Sequence, residues 1–233
     1  MDEPLNRLFP TPISIYITER MKENEEFLLS NASDAVGEVV NLINDSIDEI
    51  GYAIGRTDRK KDYFERSMAF FIQHILSPFS YSIYLDLIAA NLPICIVELR
   101  LMLESLVKCY LADSKYLGPT SFRDKLASLE REEWNVSRLM KKLGRILGLE
   151  DEPFALWTSL SQNWVHTQGL ATNVLEDIIH RKSVPPWALV IPMPYNSGDL
   201  DAIEELRTSI IQFRKVLNIA MQSYRQDLGY GED

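Results

Sequence analysis

Apolar residues recur at a helical period almost from one end of this chain to the other, and that recurrence limits the fold more than any other feature. At 100° per residue, Val36, Val39, Val40, Ile43, Ile47, Ile50 and Ile54 fall within one arc of about 120°, after Ser33 and Asp34 as a capping start. Phe64, Met68, Phe71 and Ile75 repeat the pattern up to Pro78, and a shorter segment carries Ile83, Leu87 and Ile88. The stripe Ile203, Leu206, Ile210, Phe213, Leu217, Met221 and Tyr224 marks the longest helix, with Asp199 and Asp201 at its dipole-favoured start and Arg207, Arg214 and Arg225 off the stripe. The early PISIYIT alternates like a strand but has no evident partner strand, so it reads as the start of a helix.

The most apolar stretch, LPICIVELRLMLESLVKCYLA, carries Glu98, Arg100, Glu104 and Lys108, which is too much charge for a good membrane span. It reads as a buried central helix opened by Pro93, where the missing N–H costs nothing. Two places interrupt the helices. GRTDRKKD, residues 55–62, is a charged connection, and SVPPWALVIPMPYNSGD, residues 183–199, holds four of the eleven prolines and forces extended backbone. The expected architecture is all-α: residues 1–233 as a single helical bundle of about seven to ten helices, with the Pro-rich connection at 183–199 before a long C-terminal helix.

Charge and cysteine usage narrow the function classes. A net charge of −10 argues against a nucleic-acid footprint over the whole body, though not against a local basic face. MDEPLNRLFPTP has neither the basic start nor the apolar run of a secretory signal. Cys95 and Cys109, if on one helix, lie about 21 Å apart and cannot bridge. Two buried thiols fit a reducing cytoplasm, and nothing near them in sequence would activate either one. No cofactor is expected. His74, His166 and His180 show no short ligand spacing, and Asp177-x-x-His180 has no second Glu-x-x-His unit, so no metal site is expected. There is no Gly-rich phosphate loop and no G-x-S-x-G elbow.

Two polar constellations remain. Arg100 and Glu104 sit i, i+4 on the central helix, beside Ile96, Leu103, Val107 and Leu111. On the later LWTSLSQNWVHTQGL, Trp157, Leu160 and Trp164 form one side, and Ser159, Asn163 and His166 the other. If that second side met Arg100 and Glu104, it would make a polar pocket inside a bundle. His166 would then transfer protons, Glu104 orient it, Arg100 bind an anion, and Ser159 and Asn163 contact a ligand. The other reading is a hydrogen-bonded network that fixes helix register. The second constellation lies in NVSRLMKKLGRILGL, where Arg138, Lys141, Lys142 and Arg145 share about 100° of one face, opposite Val136, Leu139, Met140, Leu143, Ile146 and Leu147. Four like charges repel at a few tenths of a kcal/mol per pair. Acidic neighbours could offset that cost, or the face could meet phosphate, RNA, a nucleotide or a membrane surface.

An LR-x-x-x-E helix followed about sixty residues later by an LS…H helix resembles uncharacterised helical-bundle families related to HEPN domains, over about residues 90 to 170. The resemblance implies an all-α fold, a homodimer or other homo-oligomer, and either ribonuclease activity or an inactive binding role. Arg100, Glu104 and His166 are the positions it marks. Active HEPN ribonucleases are similar in using Arg-x(4–6)-His on one helix. Here Arg66 to His74 is too long a step, and Ser161 stands five residues before His166 where the uncharacterised relatives have four. The expected function is therefore a binding or assembly module, with a hydrolase of RNA or nucleotides as the alternative.

Overall fold

The computed structural model describes residues 12–54, 64–118, 120–132, 135–164 and 192–227. Every regular element among them is helical, as the periodicity predicts: α1 (Ile13–Asn31), α2 (Ser33–Ile54), α3 (Ser67–Phe71), a π-helical turn (Ile72–Leu76), α4 (Ser77–Ile88), α5 (Leu92–Lys115), α6 (Phe122–Glu132), α7 (Val136–Leu147), α8 (Glu152–Trp164) and α9 (Leu200–Asp227). The charged connection at 55–62 and residues 183–191 of the Pro-rich connection lie outside the described residues. No described helix is long and apolar enough to cross a membrane.

The apolar 92–112 stretch becomes the axis of the bundle. It forms α5, which packs against α3, α4, α6, α7, α8 and α9. Cys95, Ile96, Leu99, Met102, Leu103, Leu106, Val107, Cys109 and Tyr110 along it are all buried. The α9 stripe is buried at every expected position from Ile203 to Tyr224. Just before it, Asp199 accepts the Asn196 backbone N–H at 2.8 Å while Asn196 caps Gly198 N–H at 2.7 Å, a reciprocal cap that starts the helix.

Helix α2 departs from its sequence stripe. Its buried face runs through Ala35, Val36, Val39, Leu42, Ser46 and Glu49, whereas Val40 and Ile47 are 41% and 48% exposed. Counted at 100° per residue, that face is rotated by roughly 70° from the one the valines and isoleucines mark. Two contacts account for the rotation. Ser46 meets Ser80 of α4 at 3.1 Å, a close approach that only small side chains allow. On the α9 side, Arg214 binds Glu38 at 2.6 Å and Asp45 at 2.7 Å, and Arg225 binds Glu49 at 3.1 Å. Ser33 and Asp34 fall within the first turn rather than before it, because Ala32 is the one-residue break between α1 and α2.

Pro78 does not end the helical path. It occupies the first turn of α4, and the preceding π-turn carries the chain across. A π-turn takes in one extra residue, which sets the phase back by about 100°. Met68 and Phe71 before it, Ile72 and Leu76 at its two ends, and Ile83 and Leu87 after it consequently all reach the core. The sequence stripe had placed Ile75 inside. The shift hands that position to Leu76, and Phe64 is 62% exposed.

The last part of the Pro-rich connection is pinned to the bundle by one buried side chain. Asn24 of α1 donates to the carbonyls of Ile88 at 3.0 Å and Met193 at 2.8 Å, and accepts the Tyr195 N–H at 3.0 Å. Tyr195 then stacks on Phe27 and donates its hydroxyl to the Leu87 carbonyl.

Candidate functional site

Arg100 and Glu104 project from the margin of the buried side of α5. Arg100 Nε donates to Glu104 Oε1 at 2.9 Å, as i, i+4 spacing on a helix permits, with both side chains about one-fifth exposed. Trp157 of α8 adds a second donor, its indole Nε1–H reaching the same Oε1 at 2.7 Å. The Arg100 guanidinium also lies over the Trp157 ring, 5.5 Å from the centroid. This doubly donated carboxylate locks α8 to α5 at the level of Leu156 and Leu160, which are buried beside it.

The meeting of helices therefore differs from the one that would have made a polar pocket. The Trp157 side of α8 faces Arg100 and Glu104, and Ser159 points to solvent. The reason is the apolar pair Leu156 and Leu160, one helical turn apart, which turn their own side of α8 inward and carry Trp157 with them. Ser161, close to that pair, is buried and donates to the Trp157 carbonyl at 2.6 Å. The side chain of Asn163, and His166 and His180 entirely, lie outside the described residues. His74 is exposed beside Phe70, with ring centroids 5.5 Å apart.

The basic face follows its pattern in part. Asn135 caps α7 by accepting the Arg138 N–H at 3.3 Å, and Gly148 ends it at φ 69° with its N–H on the Gly144 carbonyl. Leu139, Met140 and Leu143 are buried on one side, and Arg138, Lys141 and Arg145 are exposed on the other. Lys142 is half-buried. Ile146, expected on the apolar side, is 50% exposed next to the cations. Lys141 Nζ sits over the ring of Phe154 at 4.4 Å, and Phe154 stacks on Trp157 with centroids 6.2 Å apart. Among the described residues Arg138, Lys141 and Arg145 have no carboxylate partner, whereas Lys108, Lys215 and Arg214 on neighbouring helices each have one. The acidic offset that could have explained four clustered cations is absent for these three.

Two further polar groups escape sequence reasoning. Asp113, near the end of α5, is buried and accepts the backbone N–H groups of Ser67 at 2.9 Å and Met68 at 3.0 Å, capping α3 from another helix. It also binds Lys125 Nζ at 3.3 Å and the Tyr224 hydroxyl at 3.0 Å. Burial among these groups, with the Asp113 charge adding to it, pushes the Tyr224 phenol up. Glu98 is buried between α5 and α4, with Oε2 unpartnered, and burial pushes its carboxyl up to about 7, with nearby Asp86 adding to the rise. An aspartate near a helix end and a glutamate in VELRLMLE give no sign in sequence of what meets them.

Among the described residues no group of three or more His, Cys, Asp or Glu could hold a metal ion. Cys95 and Cys109 are buried and unbridged, and burial pushes both thiols up, which keeps them protonated and unreactive at neutral pH. An open depression of about 600 Å³ on α6 is lined by Arg123, Asp124, Ala127, Glu130 and Arg131, a mixed-charge surface without an enclosed wall. No protein-family model matches the chain, and neither a curated protein nor a solved structure does so.

Proposed function

We propose that this chain is a cytoplasmic binding and assembly module of HEPN-like kind, a homodimer that holds RNA or a nucleotide phosphate on the α7 face without cleaving it. One observation carries the reading: Arg138, Lys141 and Arg145 stand together on an exposed face with no carboxylate partner among the described residues, in a chain whose net charge is −10. Clustered like charges cost free energy that an external polyanion recovers, with counterion release added on binding. The state of Arg100 and Glu104 supports binding over turnover. Glu104 Oε1 is committed to Arg100 and to Trp157, both of which donate to it.

The test is a mixed RNA pool incubated with the purified chain, with cleavage and binding read side by side. Binding without cleavage is expected, weakening steeply with salt and lost when Arg138, Lys141, Lys142 and Arg145 are all changed to Gln. Cleavage that disappears in a folded His166→Ala variant would replace this reading with a hydrolase using His166, Glu104 and Arg100. Sedimentation of a single species at monomer mass would remove the homodimer.

A further inference from the structure

We infer that the joined surface of α7, α8 and α5 is a track for single-stranded nucleic acid, with Phe154 and Trp157 as platforms for unpaired bases. The inference rests on the binding reading above and adds the strandedness of the partner. Four side chains from three helices form one continuous ladder. Lys141 Nζ lies 4.4 Å from the Phe154 centroid, Phe154 stacks on Trp157 at 6.2 Å with planes 28° apart, and Arg100 covers Trp157 at 5.5 Å. On either side of Lys141 along the exposed face of α7 stand Arg138 and Arg145.

Cations spaced around aromatic faces suit a strand whose phosphates and bases alternate in the same way. Stacking tolerates any base sequence, because every base presents a π-face. A duplex cannot use these rings, since its bases are already stacked on one another and only its edges and backbone are offered. The platforms are held in place before any ligand arrives. Trp157 is oriented by its bond to Glu104, and both side chains are partly buried against the core. Lys141 acts as an exchangeable cover, since a phosphate that pairs with it competes with the Phe154 ring for its ammonium and frees that face for a base, while Arg100 stays held by Glu104. Among the described residues Glu104 is the one carboxylate bonded into the ladder, and Arg100 balances it. Glu152, at the start of α8, is turned to Lys215 of α9.

The experiment is fluorescence anisotropy of the full chain with four labelled probes of equal length: single-stranded oligouridine, an RNA duplex, an abasic strand and linear polyphosphate. Oligouridine is expected to bind about tenfold tighter than the abasic strand and the duplex. Trp157→Leu and Phe154→Leu, checked for folding by circular dichroism, are expected to lose about fivefold or more for oligouridine and to leave polyphosphate unchanged. An abasic strand bound as tightly as oligouridine, on the wild-type protein alone, overturns the track while leaving the basic-face reading intact. Ring variants that bind oligouridine like wild type do the same. Failure of all four probes to bind overturns both.

Discussion

Asp113 and Lys125 form an ion pair at 3.3 Å with their side chains only 4% and 6% exposed. Such a pair gains little over an apolar replacement, but breaking it leaves a buried charge alone. Asp113 is also the acceptor for the first N–H groups of α3, so its loss would uncap that helix. Asp113→Ala is expected to destabilise the fold by about 3–5 kcal/mol, read as a lowered urea midpoint with an unchanged m-value. A loss below about 1 kcal/mol would mean that the four donors find other acceptors.

Glu98 sets a pH dependence with a definite sign. Its carboxyl is raised to about 7 from 4.5, chiefly by burial, so the native state binds a proton more tightly than the unfolded chain does. The stability it contributes is full below about pH 4.5 and is lost as pH rises through about 7. Wild type should lose on the order of 2 kcal/mol between pH 5 and 8 from this group, and Glu98→Gln should flatten that part of the profile. Parallel profiles for the two proteins would show that Glu98 is ionised without cost.

Asn24 makes three hydrogen bonds with backbone groups of two segments far apart in sequence, donating two and accepting one. Asn24→Ala would leave those groups unpaired at a site that is 1% exposed, costing about 3 kcal/mol in all. Amide exchange should separate local from global effects, with Tyr195 accelerating ahead of the α5 amides. Uniform acceleration would place the loss in the whole fold instead.

Gly144 has no room for a side chain, since a Cβ there would meet the carbonyl of Glu150, itself at a positive φ of 51°. The turn between α7 and α8 closes over this glycine through the Leu149 N–H on the Gly144 carbonyl at 2.8 Å. Gly144→Ala is expected to cost about 2 kcal/mol or more, measured as a lower thermal midpoint. The same substitution at Gly37, which has open space around it, should stabilise slightly by its helix propensity and serves as the control.

The helical class, the central position of α5 and the whole α9 stripe were legible because each depends only on local period and total apolar content. The face that α2 buries was not, since Ala35, Ser46 and Glu49 gain their places from partners on α4 and α9. The Arg100–Glu104 pair was visible as i, i+4 spacing, but its indole donor was not, because the rotation of α8 is set by Leu156 and Leu160 against the core. The α7 cations were legible as a pattern. Their lack of carboxylate partners is a property of the assembled surface. Asp113 and Glu98 left no mark in sequence, as the charge of each takes its meaning from helices distant along the chain.

The π-turn at Ile72–Leu76 makes the register of this bundle depend on chain length at one point. Substitutions there change packing locally, but loss of a single residue would let the helix run regularly and swing everything upstream of the turn by about 100° about its axis. Met68 and Phe71 would leave the core, and the Ser67 and Met68 amides would turn away from Asp113. The chain should thus tolerate many exchanges at Gln73, His74 and Ile75, only apolar ones at buried Ile72 and Leu76, and almost no deletion, an asymmetry that a library of variants across those five positions would make plain.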